Sequence, residues 1–254
     1  MNRGIRELVL LAALYVGYSA SRLVADDAFT PAATRALQLL DLERVIWLDV
    51  EGMLNGWFVA VPLLGLVASY WYATLHYLVT AAVLVWLYRR GPAYYLPART
   101  ALAVATILGL VLYLMVPMAP PRLLDGYVDV LELHAGSGWW GADASAPRGL
   151  GGLTNQLAAF PSLHAGWALW VALVVRRHVR ASWVRGLGWA YAAGTTIVIV
   201  GTGNHWLLDA VVGWIVVLAA WEIVNETGSR PHGERSATAA AQPSRQGMSV
   251  VDGG

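Results

Sequence analysis

Apolar residues in this chain come in long runs, broken by short clusters of arginine, proline and glycine. Six runs, near 5–24, 70–88, 99–117, 163–175, 183–202 and 206–223, are expected to be helices of roughly the 20 residues that a bilayer core demands. The fourth is short where Arg176 stops it, and reaches further only if Phe160 and Ser162 also lie in the interface. The first begins behind Arg3 and Arg6 like a secretory signal, but its apolar stretch exceeds the usual ~7–15 residues, so a retained anchor is expected. Residues 55–69 are apolar but interrupted by Pro62 and Gly65, which suits a short interfacial or re-entrant helix. The fold class is therefore an all-α polytopic membrane bundle of about six transmembrane helices plus that short helix. Residues 1–226 form the membrane-embedded domain, and the Ser-, Ala-, Gly- and Arg-rich 227–254 is expected to be a disordered cytoplasmic tail.

Composition agrees with a membrane protein. Of 254 residues 57% are hydrophobic and only 13% charged, against about 25% charged in soluble domains. The 13 Trp and 11 Tyr far outnumber three Phe, as expected where amphipathic rings gather at membrane–water boundaries. A net charge of +1 gives no polyanion-binding surface, so nucleic acid is not an expected partner. Without cysteine, the chain has no disulfides, thiol catalysis or thiolate metal sites. All 17 basic residues are arginine, which reads as GC-rich coding bias.

Charge then orients the spans. Twelve of the 17 arginines fall at the N-terminus, at 89–99, at 176–185 and in the tail, an alternating set that the positive-inside rule assigns to the cytoplasm. Both termini are expected there, with the bacterial plasma membrane as location. The opposite, extracytoplasmic side receives about 25–69, the loop 118–161 and the turn Thr202-Gly203-Asn204. His164 opens the fourth span and His205 the sixth, both from that side, so two residues 41 apart in sequence meet at one depth.

His205 and Asp209 are one helical turn apart and share a face. A histidine held by a carboxylate and facing a second histidine is a minimal kit for phosphoryl transfer through a covalent histidine intermediate. The expected roles are His205 as nucleophile in the first turn of its helix, where amide N–H groups attract a phosphate, Asp209 as acceptor of the other imidazole N–H, and His164 as general acid. Ser162 is a candidate cap and Pro161 a first-turn residue of the fourth span, aiming further N–H groups at the anion. Arg122, behind Pro120-Pro121, could grip phosphate oxygens through its fork. Asn204, Tyr72 and His76 are further candidates to line the substrate site. For Glu51 and Asn55, also one turn apart, head-group binding and a helix-capping or helix-tying role are both open. Arg148 suits a solvated loop position, and His134, His178 and His232 receive no chemistry. No metal ligand set and no cofactor is required.

These residues give a resemblance. The segments Ala119-Pro120-Pro121-Arg122, Phe160-Pro161-Ser162-Leu163-His164 and His205-x-x-x-Asp209-x-x-x-Gly213, with Tyr72-x-x-x-His76, resemble the type 2 phosphatidic acid phosphatase superfamily. Within it they look like the inositol phosphorylceramide synthase-like (inositolphosphotransferase) branch. The resemblance implies a nucleophile at His205, an acid at His164 and an orienting carboxylate at Asp209, with no required metal. It departs at two places: the superfamily phosphatases carry Ser-Arg where this chain has Val198-Ile199, and prefer Gly where it has Leu163. The missing arginine favours the synthase-like branch, which transfers a phospho-head group to an alcohol such as inositol or a glycan. Expected substrates are lipids or lipid-linked phosphates. Two other readings stay open: a metal-dependent membrane hydrolase binding zinc through His76, His164, His205 and Asp209, and a non-catalytic lipid or ion transporter.

Overall fold

The computed structural model describes residues 28–140 and 156–229, together with Gly4, Ile5, Glu7, Val9 and Ala12. The rest of the first expected span, Arg148 with its glycine-rich surroundings, and nearly all of the tail lie outside the described residues. The described chain is helical, with an isolated β-bridge between Met118 and Ala158. The helices are α1 (Phe29–Val45), α2 (Glu51–Ala60), α3 (Pro62–Arg90), α4 (Pro92–Met115), α5 (Val130–Leu133), α6 (Leu163–His178), α7 (Ser182–Gly201) and α8 (Leu207–Ser229). Short 3₁₀ turns occupy Pro121–Leu123 and Ala135–Ser137.

Three helices, α3, α4 and α8, are long and apolar enough to cross a membrane. Their outward faces carry Leu63, Val67, Leu78, Val85, Ile107, Val111, Ile215 and Leu218, an apolar belt that suits lipid and not water. The chain is a helical membrane bundle. The interrupted stretch 55–69 is not one re-entrant helix. Val61 is extended, and Pro62 at the first position of α3 ends α2 and begins the long helix, because proline fits a first helical turn where no N–H is needed.

At the centre stands α6, packed against α3, α4, α7 and α8. Residues from Ala165 to Val174 are almost all buried, so this helix is apolar all round because protein surrounds it, and it needs no full bilayer length. Small residues and polar ties hold its neighbours close. Trp170 Nε1 donates to the Ala98 carbonyl at 2.8 Å and Trp167 Nε1 to Thr106 Oγ1 at 3.1 Å, joining α6 to α4. Trp71 Nε1 donates to Thr195 Oγ1 at 3.1 Å and Tyr191 Oη to the Leu75 carbonyl at 3.2 Å, joining α3 to α7. Such bonds between helices replace the water that a bilayer denies them. Near the N-terminus, Glu7 accepts from Arg99 Nη2 at 2.9 Å and from Tyr95 Oη at 3.1 Å, fixing that stretch to the start of α4.

The sequence reading did not anticipate α1. Its buried residues, Ala32, Ala36, Leu40 and Glu43, form a stripe at helical spacing, while most other positions are exposed. The stripe covers the segments Met118–Ala119 and Leu157–Ala159 and the ring of Trp206. Behind it the chain reverses through Trp47, whose φ of 59° is left-handed, and enters α2.

Candidate active site at the histidine end of the bundle

The two histidine segments meet where α6 and α8 begin. Ser162 caps α6, its Oγ accepting from the Ala165 N–H at 3.3 Å, and Pro161 stands before the cap rather than in the first turn. The Ser162 N–H donates to the Asp209 carbonyl at 2.9 Å, which ties the two helix starts together directly. That contact is possible because α8 carries no side chain at Gly213: a Cβ there would lie 2.2 Å from the Ser162 carbonyl oxygen. The Gly213 of the third motif is thus a steric requirement of the site.

His205 lies two residues before α8, not in its first turn. The turn Thr202–Asn204 carries it there, with Gly203 at φ 76° and the Asn204 and His205 N–H groups both donating to the Ile199 carbonyl at 3.1 Å. Nδ1 of His205 is 2.8 Å from the Ala159 carbonyl and 3.5 Å from Asp209 Oδ2. A carbonyl only accepts, so Nδ1 carries the hydrogen and, in the neutral ring, Nε2 keeps its lone pair. The expected orienting role of Asp209 therefore passes mainly to a backbone oxygen, with Asp209 as the second, longer contact.

The open α8 amides expected to bind phosphate are already taken. Trp206 N–H donates to Asp209 Oδ2 at 2.8 Å, Leu207 N–H to Glu51 Oε1 at 2.8 Å and Leu208 N–H to Glu43 Oε1 at 2.7 Å. Three carboxyl side chains, all fully buried, close this helix end. Glu51 thus takes the capping role. Asn55 takes the tying one, donating to the carbonyls of Val128 and Gly201 at 2.9 and 3.0 Å and accepting from the Val128 N–H at 2.9 Å. Neither is left with head-group binding as its main bond. Glu43 was not anticipated; it reaches Glu51 only through the reversal at Trp47, which no spacing in the sequence announces.

Burial raises the carboxyl pKa of Glu43 to about 8, with the Glu51 and Asp209 charges adding to the rise, and burial raises that of Glu51 as well. A raised carboxyl contributes stability that is complete below its unfolded value of 4.5 and is lost as pH rises through the folded value of about 8. Thermal unfolding in detergent is expected to show a fall in Tm between pH ~5 and ~8 that Glu43→Gln reduces, since the amide keeps the acceptor for Leu208 and removes the titration. An unchanged pH slope in Glu43→Gln would refute the raised Glu43 carboxyl as its source.

Four rings form the floor. His164 stacks on Tyr72 at 4.4 Å between centroids, lies 4.0 Å from His76, and faces His205 at 5.6 Å. Tyr72 is 6.5 Å from His205. The expected companions Tyr72, His76, His164 and His205 are therefore brought together. Among the described residues, His76 Nδ1, His164 Nε2 and Asp209 Oδ1 are buried polar atoms without a hydrogen bond, and all three belong to this cluster. No group of three or more His, Asp or Glu among the described residues is arranged to hold a metal ion, so the zinc set of His76, His164, His205 and Asp209 does not form.

Arg122 stands at the rim, only slightly exposed. Its N–H donates to the Gly203 carbonyl at 2.8 Å, its Nη1 to Asn204 Oδ1 at 2.9 Å, and its Nε is 3.0 Å from Asp129 Oδ2. Asp129, missed in the sequence, also caps α5 through the Leu131 and Glu132 N–H groups. Asn204 therefore faces Arg122 and orients it. At the departure from the resembling motif, Ile199 is fully buried in a cluster with Phe58, Val198 and Val200.

Residues 37–223 match the family model described as PAP2 superfamily. The chain belongs to the PAP2 superfamily. It is a membrane enzyme of the phosphatase type acting on lipid phosphates. No curated relative and no solved structure matches it. The PAP2 match covers α2 to α7 completely, with most of α1 and α8, and so takes in Glu43 and every candidate residue of the cluster.

Proposed function

We propose that this PAP2 protein transfers a phospho-group from a lipid phosphate or phosphodiester through a phosphohistidine at His205, within the inositolphosphotransferase-like branch. The observation that carries the reading is the bond of His205 Nδ1 to the Ala159 carbonyl, beside a second histidine ring at 5.6 Å. Nε2 attacks phosphorus while the bond from phosphorus to the leaving oxygen breaks. His164 enters protonated, a form favoured by the substrate's own negative charge, and gives its proton to that oxygen. An acceptor, water or the hydroxyl of an alcohol such as inositol or a glycan, then gives its proton back to His164 and attacks the phosphohistidine, releasing Nε2. Arg122, held by Asn204 and Asp129, offers its remaining donors to the phosphate oxygens. Tyr72 and His76 wall the site from the α3 side.

The arginines of 89–99 and 176–185 lie at the far end of α3 and α6 from the histidines, which supports a site on the extracytoplasmic side with cytoplasmic termini. Transfer is favoured over hydrolysis by Ile199, an apolar residue where a phosphatase would place an arginine.

Incubating the purified protein with a labelled phospholipid, with and without inositol, tests the reading. Phosphorylated inositol or a new phosphodiester means transfer, whereas a phosphomonoester or free phosphate formed without inositol means hydrolysis; neither product means that the proposed chemistry is wrong. Arg122→Lys is expected to raise KM about tenfold with a smaller change in kcat. A point charge cannot hold Asn204, Asp129 and phosphate at once, and charge-assisted bonds of this kind are worth roughly 1.5–3 kcal/mol. Unchanged kinetics would return Arg122 to a purely structural role.

A further inference from the structure

At the end of the bundle opposite the histidines, the start of α4 and the ends of α6 and α8 enclose a cavity of about 110 Å³, lined in part by Tyr94, Pro97, Arg177, His178, Trp221 and Asn225. Among the described residues no acidic side chain lines it. Two guanidinium groups are fixed beside it. Arg177 donates from Nη1 to Asn225 Oδ1 at 2.8 Å and lies 5.9 Å over the Trp221 ring. Arg90 donates to the His178 carbonyl at 3.3 Å and lies over the rings of Tyr94 and Trp86 at 4.7 and 5.1 Å. Each of these bonds uses one of five guanidinium donors, and the rings hold the plane in place, so the cost of ordering is already met before an anion arrives.

A second feature starts from the same place. Along α3 runs a shallow apolar groove of about 450 Å³ lined by Leu78, Val79, Ala82, Val83 and Trp86. Trp86 joins the two, because its ring lies under Arg90 and 6.5 Å from that of His178. A polar, cationic head pocket beside an apolar trough, linked to it through the ring of Trp86, suits one amphiphile. An inorganic anion would need only the first part.

We infer that this end of the bundle binds one anionic phospholipid, its phosphate between Arg90 and Arg177 and an acyl chain along Leu78–Trp86, apart from any lipid that the histidine site transforms. Basic pockets between helices at an aromatic-rich membrane boundary are suited to such head groups.

The test is the Tm of the full chain in detergent with added phosphatidylglycerol, phosphatidylcholine or inorganic phosphate. Phosphatidylglycerol is expected to raise Tm by about 2–4 °C more than phosphatidylcholine, the size that saturating a weak site gives a chain of this length. The extra rise should vanish in Arg90→Ala/Arg177→Ala and shrink in Ala82→Trp, which fills the groove without touching the charges. Single Arg177→Gln, which disturbs packing least, should lose part of it, with its Tm in phosphatidylcholine unchanged. Equal rises with the two lipids, or a phosphatidylglycerol rise kept by the double variant, would overturn the inference. A rise reproduced by inorganic phosphate and indifferent to Ala82→Trp would also overturn it, leaving a simple anion site.

Discussion

His205→Ala is expected to leave a folded protein in the membrane and to lower turnover by at least ~10⁴-fold, the scale seen when a covalent nucleophile is removed. The side chain contributes one hydrogen bond to the scaffold, from Nδ1 to the Ala159 carbonyl, and a longer contact with Asp209, and the turn that carries it is held by backbone bonds to Ile199 that alanine keeps. Loss of activity with retained Tm would therefore report chemistry rather than folding. His164→Ala should cost about 10²–10⁴-fold, the usual worth of a general acid. Its deficit should depend on the leaving group, being least for substrates whose leaving oxygen needs no proton, whereas the His205→Ala deficit should not. Radiolabel trapped on the wild-type chain by an alkaline quench, lost on acidification and absent from His205→Ala, would identify the intermediate. Substantial activity in His205→Ala would end the phosphohistidine mechanism outright.

Gly213→Ala is expected to be nearly as damaging, by a different route. The added Cβ would sit 2.2 Å from the Ser162 carbonyl oxygen, 3.1 Å from its carbon and 3.5 Å from the Gly166 nitrogen. All three are backbone atoms, so no flexible side chain can swing away, and overpacking of this kind costs roughly 1–3 kcal/mol. Moving α6 and α8 apart would stretch the Ser162–Asp209 backbone bond and shift His164 relative to His205. The expected result is a lower Tm together with a loss of kcat larger than any change in KM. Gly186→Ala, where a Cβ meets nothing within 4 Å, is the matched control and should be nearly neutral. Normal stability and activity in Gly213→Ala would show that the helices tolerate a wider spacing than the geometry implies.

Much of this site was legible in the sequence, and the reasons are physical. Apolar runs of bilayer length mark α3, α4 and α8 because hydrophobicity and length together define a span. The helix positions of Ser162, His164, Tyr72 and His76 could be read because each lies inside or at the cap of a regular helix, where spacing fixes direction. Apart from α1, a regular helix, most of the failures involve irregular backbone. His205 was put inside a helix because a fourfold spacing to Asp209 says nothing about where the first turn begins; the turn at Gly203 and the carbonyl of Ile199 decide that. Glu43 was invisible because its contact with α8 depends on the reversal at Trp47. Asp129 and the Ala159 carbonyl come from loops, and no periodicity points to a backbone oxygen. The closure of the α8 amides by three carboxyl groups could not be read either, since it joins α1, α2 and α8 through tertiary contact alone.

The shortness of α6 sets the depth at which the enzyme works. Its 16 residues extend about 24 Å, whereas a hydrocarbon core is ~30 Å thick. On the proposed sidedness, with Arg176 and Arg177 at one boundary, the first turn would end several ångströms short of the other, and His164 would lie in a recess beneath the surrounding head groups. A phosphate would then reach it only by sinking out of its own leaflet plane. Depth would then act as a filter of its own, favouring lipids whose phosphate can leave the head-group plane.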